Sequence, residues 1–162
     1  LPQLADRLSA LESARLVHRD LSQANIIVGA DDRATLLDFG LARTAGRAEA
    51  DAELLAVSLS PADEVGGTVA FMAPEQRAGA APDPSADRYA LCASLFACIF
   101  GVVPTRDNFR AALRDVHAEM CPREMGHILR VGLCEDPRRR FAETGELSRA
   151  LRSVAAVANL ET

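Results

Sequence analysis

Leu4, Leu8 and Leu11 recur at the spacing of one helical face, which predicts a first helix ending near Arg15. Two short β-prone runs follow, Ile26-Ile27-Val28 and Thr35-Leu36-Leu37, on either side of the turn-rich stretch from Gly29 to Arg33, and they read as a small hairpin. From Leu41 to Gly67 the pattern gives way to Ala, Glu, Asp, Ser and Gly with one weak apolar patch, Leu54 to Val57. That stretch reads as a long loop, and long loops inside compact domains are usually functional or mobile. Beyond it Asp83-Pro84-Ser85 opens a helix with Ser85 as the expected N-cap, running to Gly101 with Pro104 shortly after. Because that helix is apolar all round, it is expected at the centre of the fold, over about 86–100. Weaker helical patterns follow at about 107–118 and 123–134, and a last helix starts at Thr144 with Leu147, Leu151 and Val154 on one face. No internal repeat or linker interrupts the pattern, so one mainly helical domain with a small β-hairpin is expected.

Composition narrows the classes. With 162 residues and 49% hydrophobic content the chain can fill a core, which excludes a disordered tail. All 18 basic residues are arginine; beside the richness in alanine this points to a coding bias of the source genome rather than to a choice at each position. A net charge of −5 with arginines scattered except for Arg138-Arg139-Arg140 gives no basic footprint, so nucleic acid is not an expected partner. Cys92, Cys98, Cys121 and Cys134 form no Cys-x-x-Cys pair and read as buried thiols in a reducing, cytoplasmic compartment. His117, Cys121 and His127 invite a metal reading, but no fourth ligand stands at suitable spacing. The longest apolar run, Tyr89 to Val103, is shorter than the ~20 residues of a spanning helix, so no membrane contact is expected within the segment.

Chemistry enters through three ordered motifs. His18-Arg19-Asp20-Leu21-Ser22-Gln23-Ala24-Asn25 lies between the first helix and the hairpin, Asp38-Phe39-Gly40 follows the second strand, and Ala73-Pro74-Glu75 closes the long loop. One such tripeptide alone carries little; the ordered set resembles the eukaryotic-type serine/threonine protein kinases, particularly bacterial ones, and only their C-terminal lobe. The resemblance covers essentially the whole chain. It implies a catalytic loop at 18–25, an activation segment at 38–75 and late helices over about 107–158. It also implies that an N-terminal lobe precedes Leu1, since no Gly-rich loop, strand lysine or partner glutamate stands within the chain. That other lobe, a protein substrate and self-association through the uncovered apolar underside are the expected partners.

The site residues implied by the resemblance suit phosphoryl transfer, which asks for positioning and charge neutralisation. Asp20 would orient the substrate hydroxyl, Asn25 and Asp38 would hold magnesium or manganese between the phosphates of ATP, and Ile27 would floor the adenine. Thr68, in Gly67-Thr68-Val69-Ala70-Phe71-Met72, would pair with Asp20, and that stretch points to a serine or threonine acceptor. Asp87 would bind backbone amides near His18 and Arg19, and Glu75 would pair with Arg140. Arg19 would receive a phosphorylated loop residue, with Thr44, Ser58 and Ser60 as the hydroxyls at hand.

Two positions depart from the family. Ser22 stands where a lysine usually contacts the transferred phosphate, and Gln23 replaces the usual proline. Losing one such electrostatic contact costs roughly 10²–10³-fold in rate, so activity would be reduced rather than abolished. The expectation is therefore the catalytic lobe of a serine/threonine kinase, inactive as an isolated piece. The alternative is a degenerate lobe that binds partners through the 41–67 loop and the helical face without catalysis.

Overall fold

The computed structural model describes residues 2–30, 33–37, 43–44, 69–115 and 123–158. Its helices are α1 Pro2–Ser13, α2 Pro74–Arg77, α3 Pro84–Phe100, α4 Arg106–Asp115, α5 Arg123–Gly132 and α6 Thr144–Ala158. Short strands β1 Leu16–Val17, β2 Ile26–Val28, β3 Ala34–Leu36 and β4 Arg43–Thr44 form two antiparallel pairs, β1 with β4 and β2 with β3. The expected hairpin is thus present with its second strand one residue earlier than expected, because Ile26 pairs with Leu36 and leaves Leu37 outside the ladder. The expected long loop is corrected at its start: Arg43 and Thr44 pair with Val17 and Leu16, using backbone groups that hydropathy does not reveal. The patch at 54–57 lies outside the described residues.

α3 occupies the centre. Every residue from Ser85 to Ala97 is buried, so neighbours cover it on all sides. Its N-cap is Asp83, whose carboxylate accepts from the Ser85 N–H at 2.8 Å; Ser85, expected in that role, lies inside the helix because Pro84 takes the first helical position, where its missing N–H costs nothing. The helix stops at Gly101, left-handed at φ 71°, a conformation that glycine adopts without a Cβ penalty. α4 opens on a reciprocal cap: Asn108 N–H donates to the Thr105 hydroxyl and Thr105 N–H to the Asn108 amide oxygen.

Around α3 the main core gathers Leu4 and Leu8 of α1, Leu91, Leu95 and Phe96 of α3, Ile128 and Leu129 of α5, and Leu147 and Leu151 of α6. The leucine stripes at i, i+4 and i+7 are therefore the buried faces that the sequence pattern implied. α1 packs mainly along α6, where Ser148 donates to Asp6 at 2.6 Å and Arg152 pairs with the same carboxylate. Buried Arg88 of α3 pairs with Glu12 of α1 at 2.8 Å, and Glu12 also accepts the Thr144 N–H that opens α6. One carboxylate thus ties three helices together. A second, smaller core of Phe71, Ala73, Ala86, Tyr89, Ala93 and Ala97 seats the segment that leads into α2. Among the described residues no helix is long and apolar enough to cross a membrane.

Candidate active site

β1 delivers the chain into the loop that carries His18, Arg19 and Asp20. Val17 and His18 are buried, and Arg19 turns the backbone into the left-handed region at φ 72°. A non-glycine residue there costs of order 1–3 kcal/mol and persists only where its surroundings over-determine it. The first restraint comes from α3. Asp87, buried in its first turn, accepts the His18 N–H at 2.7 Å and the Arg19 N–H at 2.9 Å, as expected for this residue. Burial pushes the Asp87 carboxyl up to about 6, while the two N–H groups and the guanidinium groups of Arg88 and Arg19 pull the other way.

Asp20 comes next, and Asn25 folds back onto it. The Asn25 Nδ2 donates to the Asp20 main-chain oxygen at 2.8 Å and to its Oδ2 at 2.9 Å, which uses both amide hydrogens. The amide oxygen of Asn25 is then the atom left for a cation. On Asp20 the other carboxylate oxygen, Oδ1, is a buried atom with no hydrogen-bond partner among the described residues. Leu37 donates to the Asn25 carbonyl at 2.8 Å, so the chain leaves β3 beside this pair before it reaches residue 38. Asp20 and Asn25 are thus brought together, whereas Asp38, its Phe39-Gly40 neighbours and Thr68 lie outside the described residues. Of the three loop hydroxyls, Thr44 is exposed on β4; Ser58 and Ser60 lie outside the described residues, as do His117 and Cys121.

Ile27 and Val28, successive residues of β2 that face opposite sides of the hairpin, are 51% and 59% exposed, and Leu37 just after β3 is exposed as well. Ser22 is buried, and its hydroxyl has no hydrogen-bond partner among the described residues. At the far side, Arg140 forks onto Glu75 at 2.6 and 2.7 Å, and also donates to the carbonyls of Ser85, Cys134 and Glu135. Its guanidinium lies over the Tyr89 ring, 4.8 Å from the centroid.

Three contacts were not foreseen from sequence. Gln76 Nε2 donates to the Arg19 carbonyl at 2.7 Å, Gln23 Nε2 donates to Cys98 Sγ at 3.1 Å, and Arg88 pairs with Glu12. Only the first had a signal nearby, since Gln76 directly follows Ala73-Pro74-Glu75. The expectation of buried cysteines is met by Cys92 on α3, whose thiol burial pushes up to about 12 so that it stays protonated and inert. It is corrected for Cys98, exposed near the end of α3, and Cys134, half-buried after α5; Cys121 lies outside the described residues.

The protein kinase domain family matches residues 1–151. Among curated proteins the chain is 28% identical to the "Serine/threonine-protein kinases drp72" of Corynebacterium efficiens, over 95% of the chain and 29% of that protein. It is 30% identical to the serine/threonine-protein kinases PknJ and PknD of Mycobacterium tuberculosis, over 91% and 90% of the chain and 26% and 22% of those proteins. The chain therefore spans less than a third of the length of these relatives.

Proposed function

The chain belongs to the protein kinase family, and from that premise we propose that it is the C-terminal catalytic lobe of a serine/threonine kinase of bacterial type, transferring the γ-phosphate of ATP to a protein hydroxyl. The observation that carries this reading is the Asp20–Asn25 pair on a loop whose strained backbone is gripped by Asp87. In it, Asp20 accepts the hydrogen bond of the substrate hydroxyl and orients it for in-line attack. Of its two oxygens Oδ2 is held by Asn25, which leaves Oδ1, without a partner among the described residues, for that role. By resemblance to the family, Thr68 would pair with Asp20 and Ile27 would lie under the adenine.

The donor chemistry fits a hard divalent cation: a carboxylamide oxygen from Asn25, with a carboxylate from Asp38. These two residues would hold magnesium or manganese, which when bound neutralises charge between the phosphates. Asn25 does double duty, since the same side chain that offers its oxygen fixes the Asp20 carboxylate through its nitrogen. The relatives named above are serine/threonine kinases, which supports a serine or threonine acceptor.

Buried Ser22 favours a second reading, a degenerate lobe that binds partners without catalysis, because no cation stands at that position to meet the transferred phosphate. One experiment separates the two. In the full-length protein, Asp20→Asn removes nearly all phosphoryl transfer from Mg-ATP while circular dichroism and melting stay those of the wild type. A wild type with no transfer favours the second reading. Near-wild-type turnover in Asp20→Asn shows that the catalytic assignment is wrong.

A further inference from the structure

The left-handed backbone at Arg19 is held from both sides. Its N–H goes to Asp87 at 2.9 Å, and its carbonyl accepts from Gln76 Nε2 at 2.7 Å. The second bond reaches further than the first. The Arg19 carbonyl and the Asp20 N–H belong to one planar peptide, so whatever fixes that oxygen fixes the plane from which Asp20 departs. A carbonyl can be met only by a donor, so the amide nitrogen rather than the amide oxygen of Gln76 faces it. Gln76 is 9% exposed, and water competes little for the bond.

Gln76 also sits on a fixed support. It belongs to α2, where its neighbour Glu75 is forked by Arg140 at 2.6 and 2.7 Å. Phe71 and Ala73, just before α2, are buried against Ala86, Tyr89, Ala93 and Ala97 of α3. The segment leading into α2 is thereby seated on the same helix whose Asp87 holds His18 and Arg19, and Gln76 closes the circuit.

We propose that Gln76 is a positioning residue for Asp20: its amide bond to the Arg19 carbonyl couples the seating of the 69–77 segment to the orientation of the Asp20 peptide. Gln76 touches neither substrate nor nucleotide in this role. The inference rests on Asp20 being the residue that receives the substrate hydroxyl, and it makes that residue's aim depend on the segment clamped by Glu75 and Arg140.

Two substitutions in the full-length protein test it. Gln76→Met keeps length and apolar fill but removes the donor. Gln76→Glu sets an acceptor against an acceptor when ionised and regains a donor when protonated. A displacement of about 1 Å at a catalytic group can cost ~10²-fold in rate. The Gln76→Met protein is accordingly expected to lose about 10- to 100-fold in kcat, with KM for ATP and peptide within about threefold of wild type. For Gln76→Glu, the ratio of its kcat to that of wild type should climb about tenfold from pH 8 to pH 6. Arg19, Glu75 and Asp83 line the cleft beside Gln76, and Asp87, its carboxyl raised to about 6, holds the Arg19 N–H; all four are common to both proteins, so the pH dependence they share with wild type cancels in that ratio.

A readout independent of turnover is the carbonyl carbon resonance of Arg19. It should move in Gln76→Met and return toward its wild-type position in acidified Gln76→Glu. An unmoved resonance, a kcat within twofold of wild type in Gln76→Met, or a flat ratio in Gln76→Glu overturns the proposal. If the wild type itself transfers no phosphate, the kinase reading fails, while a shifted Arg19 resonance still upholds the coupling of Gln76 to the Asp20 peptide.

Discussion

Arg140 and Glu75 meet end to end across 65 residues of sequence, at 2.6 and 2.7 Å, with the arginine side chain fully buried and the glutamate side chain 19% exposed. Breaking a buried pair by removing one partner leaves a charge without compensation and costs ~3–5 kcal/mol, a large share of a typical domain's stability. Glu75→Ala strands the fully buried Arg140 charge and is expected toward the upper end of that range, whereas in Arg140→Ala the stranded Glu75 retains some solvent, which softens the charge penalty. Arg140→Lys should recover little, because one ammonium cannot reach Glu75 and the carbonyls of Ser85, Cys134 and Glu135 together. Urea unfolding monitored by circular dichroism measures all three, and a loss under 1 kcal/mol in Glu75→Ala contradicts the argument.

α3 and α5 approach so closely at Cys92 and Gly132 that a Cβ on residue 132 would lie 2.1 Å from the Cys92 sulfur and 2.8 Å from its Cβ. Overpacking of this kind costs typically ~1–3 kcal/mol. Gly132→Ala should therefore lower the unfolding midpoint, and Cys92→Ala in the same chain should restore part of it by removing the sulfur while the second contact remains. A double-mutant cycle showing no coupling between the two sites would contradict this packing.

Asp87 makes stability depend on pH in an unusual direction. Its ordinary carboxyl value is 3.8, and burial raises it to about 6 in the folded chain. Between about pH 6 and pH 4 the folded state holds a proton that the unfolded state has released, so this group's contribution improves as pH falls through 6 and is complete below 4. Above pH 6 the buried charge weighs against folding by about 3 kcal/mol. Asp87→Asn removes the titration, so the stability difference between wild type and variant should shift in favour of wild type as pH drops from 7 to 4.5. A shift the other way would show that the His18 and Arg19 N–H bonds outweigh burial.

The outcome for particular residues shows what sequence carries. The leucine stripes of α1 and α6 were readable because burial follows periodicity, and α3 because it is apolar on every side. Asp87 and the Glu75–Arg140 pair were readable only through the resemblance, since each contact spans more than sixty residues and no local pattern encodes it. Gln76 to Arg19, Gln23 to Cys98 and Glu12 to Arg88 span comparable distances, and although Arg19 and Gln23 stand in a quoted motif, no motif pairs them with these partners, which is why the contacts emerged only from the fold. The cap of α3 was misplaced by two residues because Ser85 and Asp83 both favour N-caps, and the decision lay with Pro84 between them.

On the hairpin Ile27 is 51% exposed, and Leu37 just after β3 is 40% exposed. If Ile27 floors the adenine, this surface offers one wall of a nucleotide site, with Asn25 as a cation ligand next to it. Effective small-molecule sites bury about 70–90% of their ligand, and a single wall falls well short. The chain also contains no lysine, so the phosphates would meet Asp20 and Asp38 with only metal ions to offset the repulsion. Binding of Mg-ATP to this chain alone should be millimolar or weaker, roughly −4 kcal/mol or less favourable. The same open apolar surface should drive concentration-dependent self-association. Ile27→Asp is expected to reduce that association in sedimentation without lowering the unfolding midpoint, because the side chain is not part of the core. Calorimetric titration with Mg-ATP is the decisive measurement, and micromolar binding at one defined site would mean that the hairpin wall and its neighbours enclose the nucleotide after all.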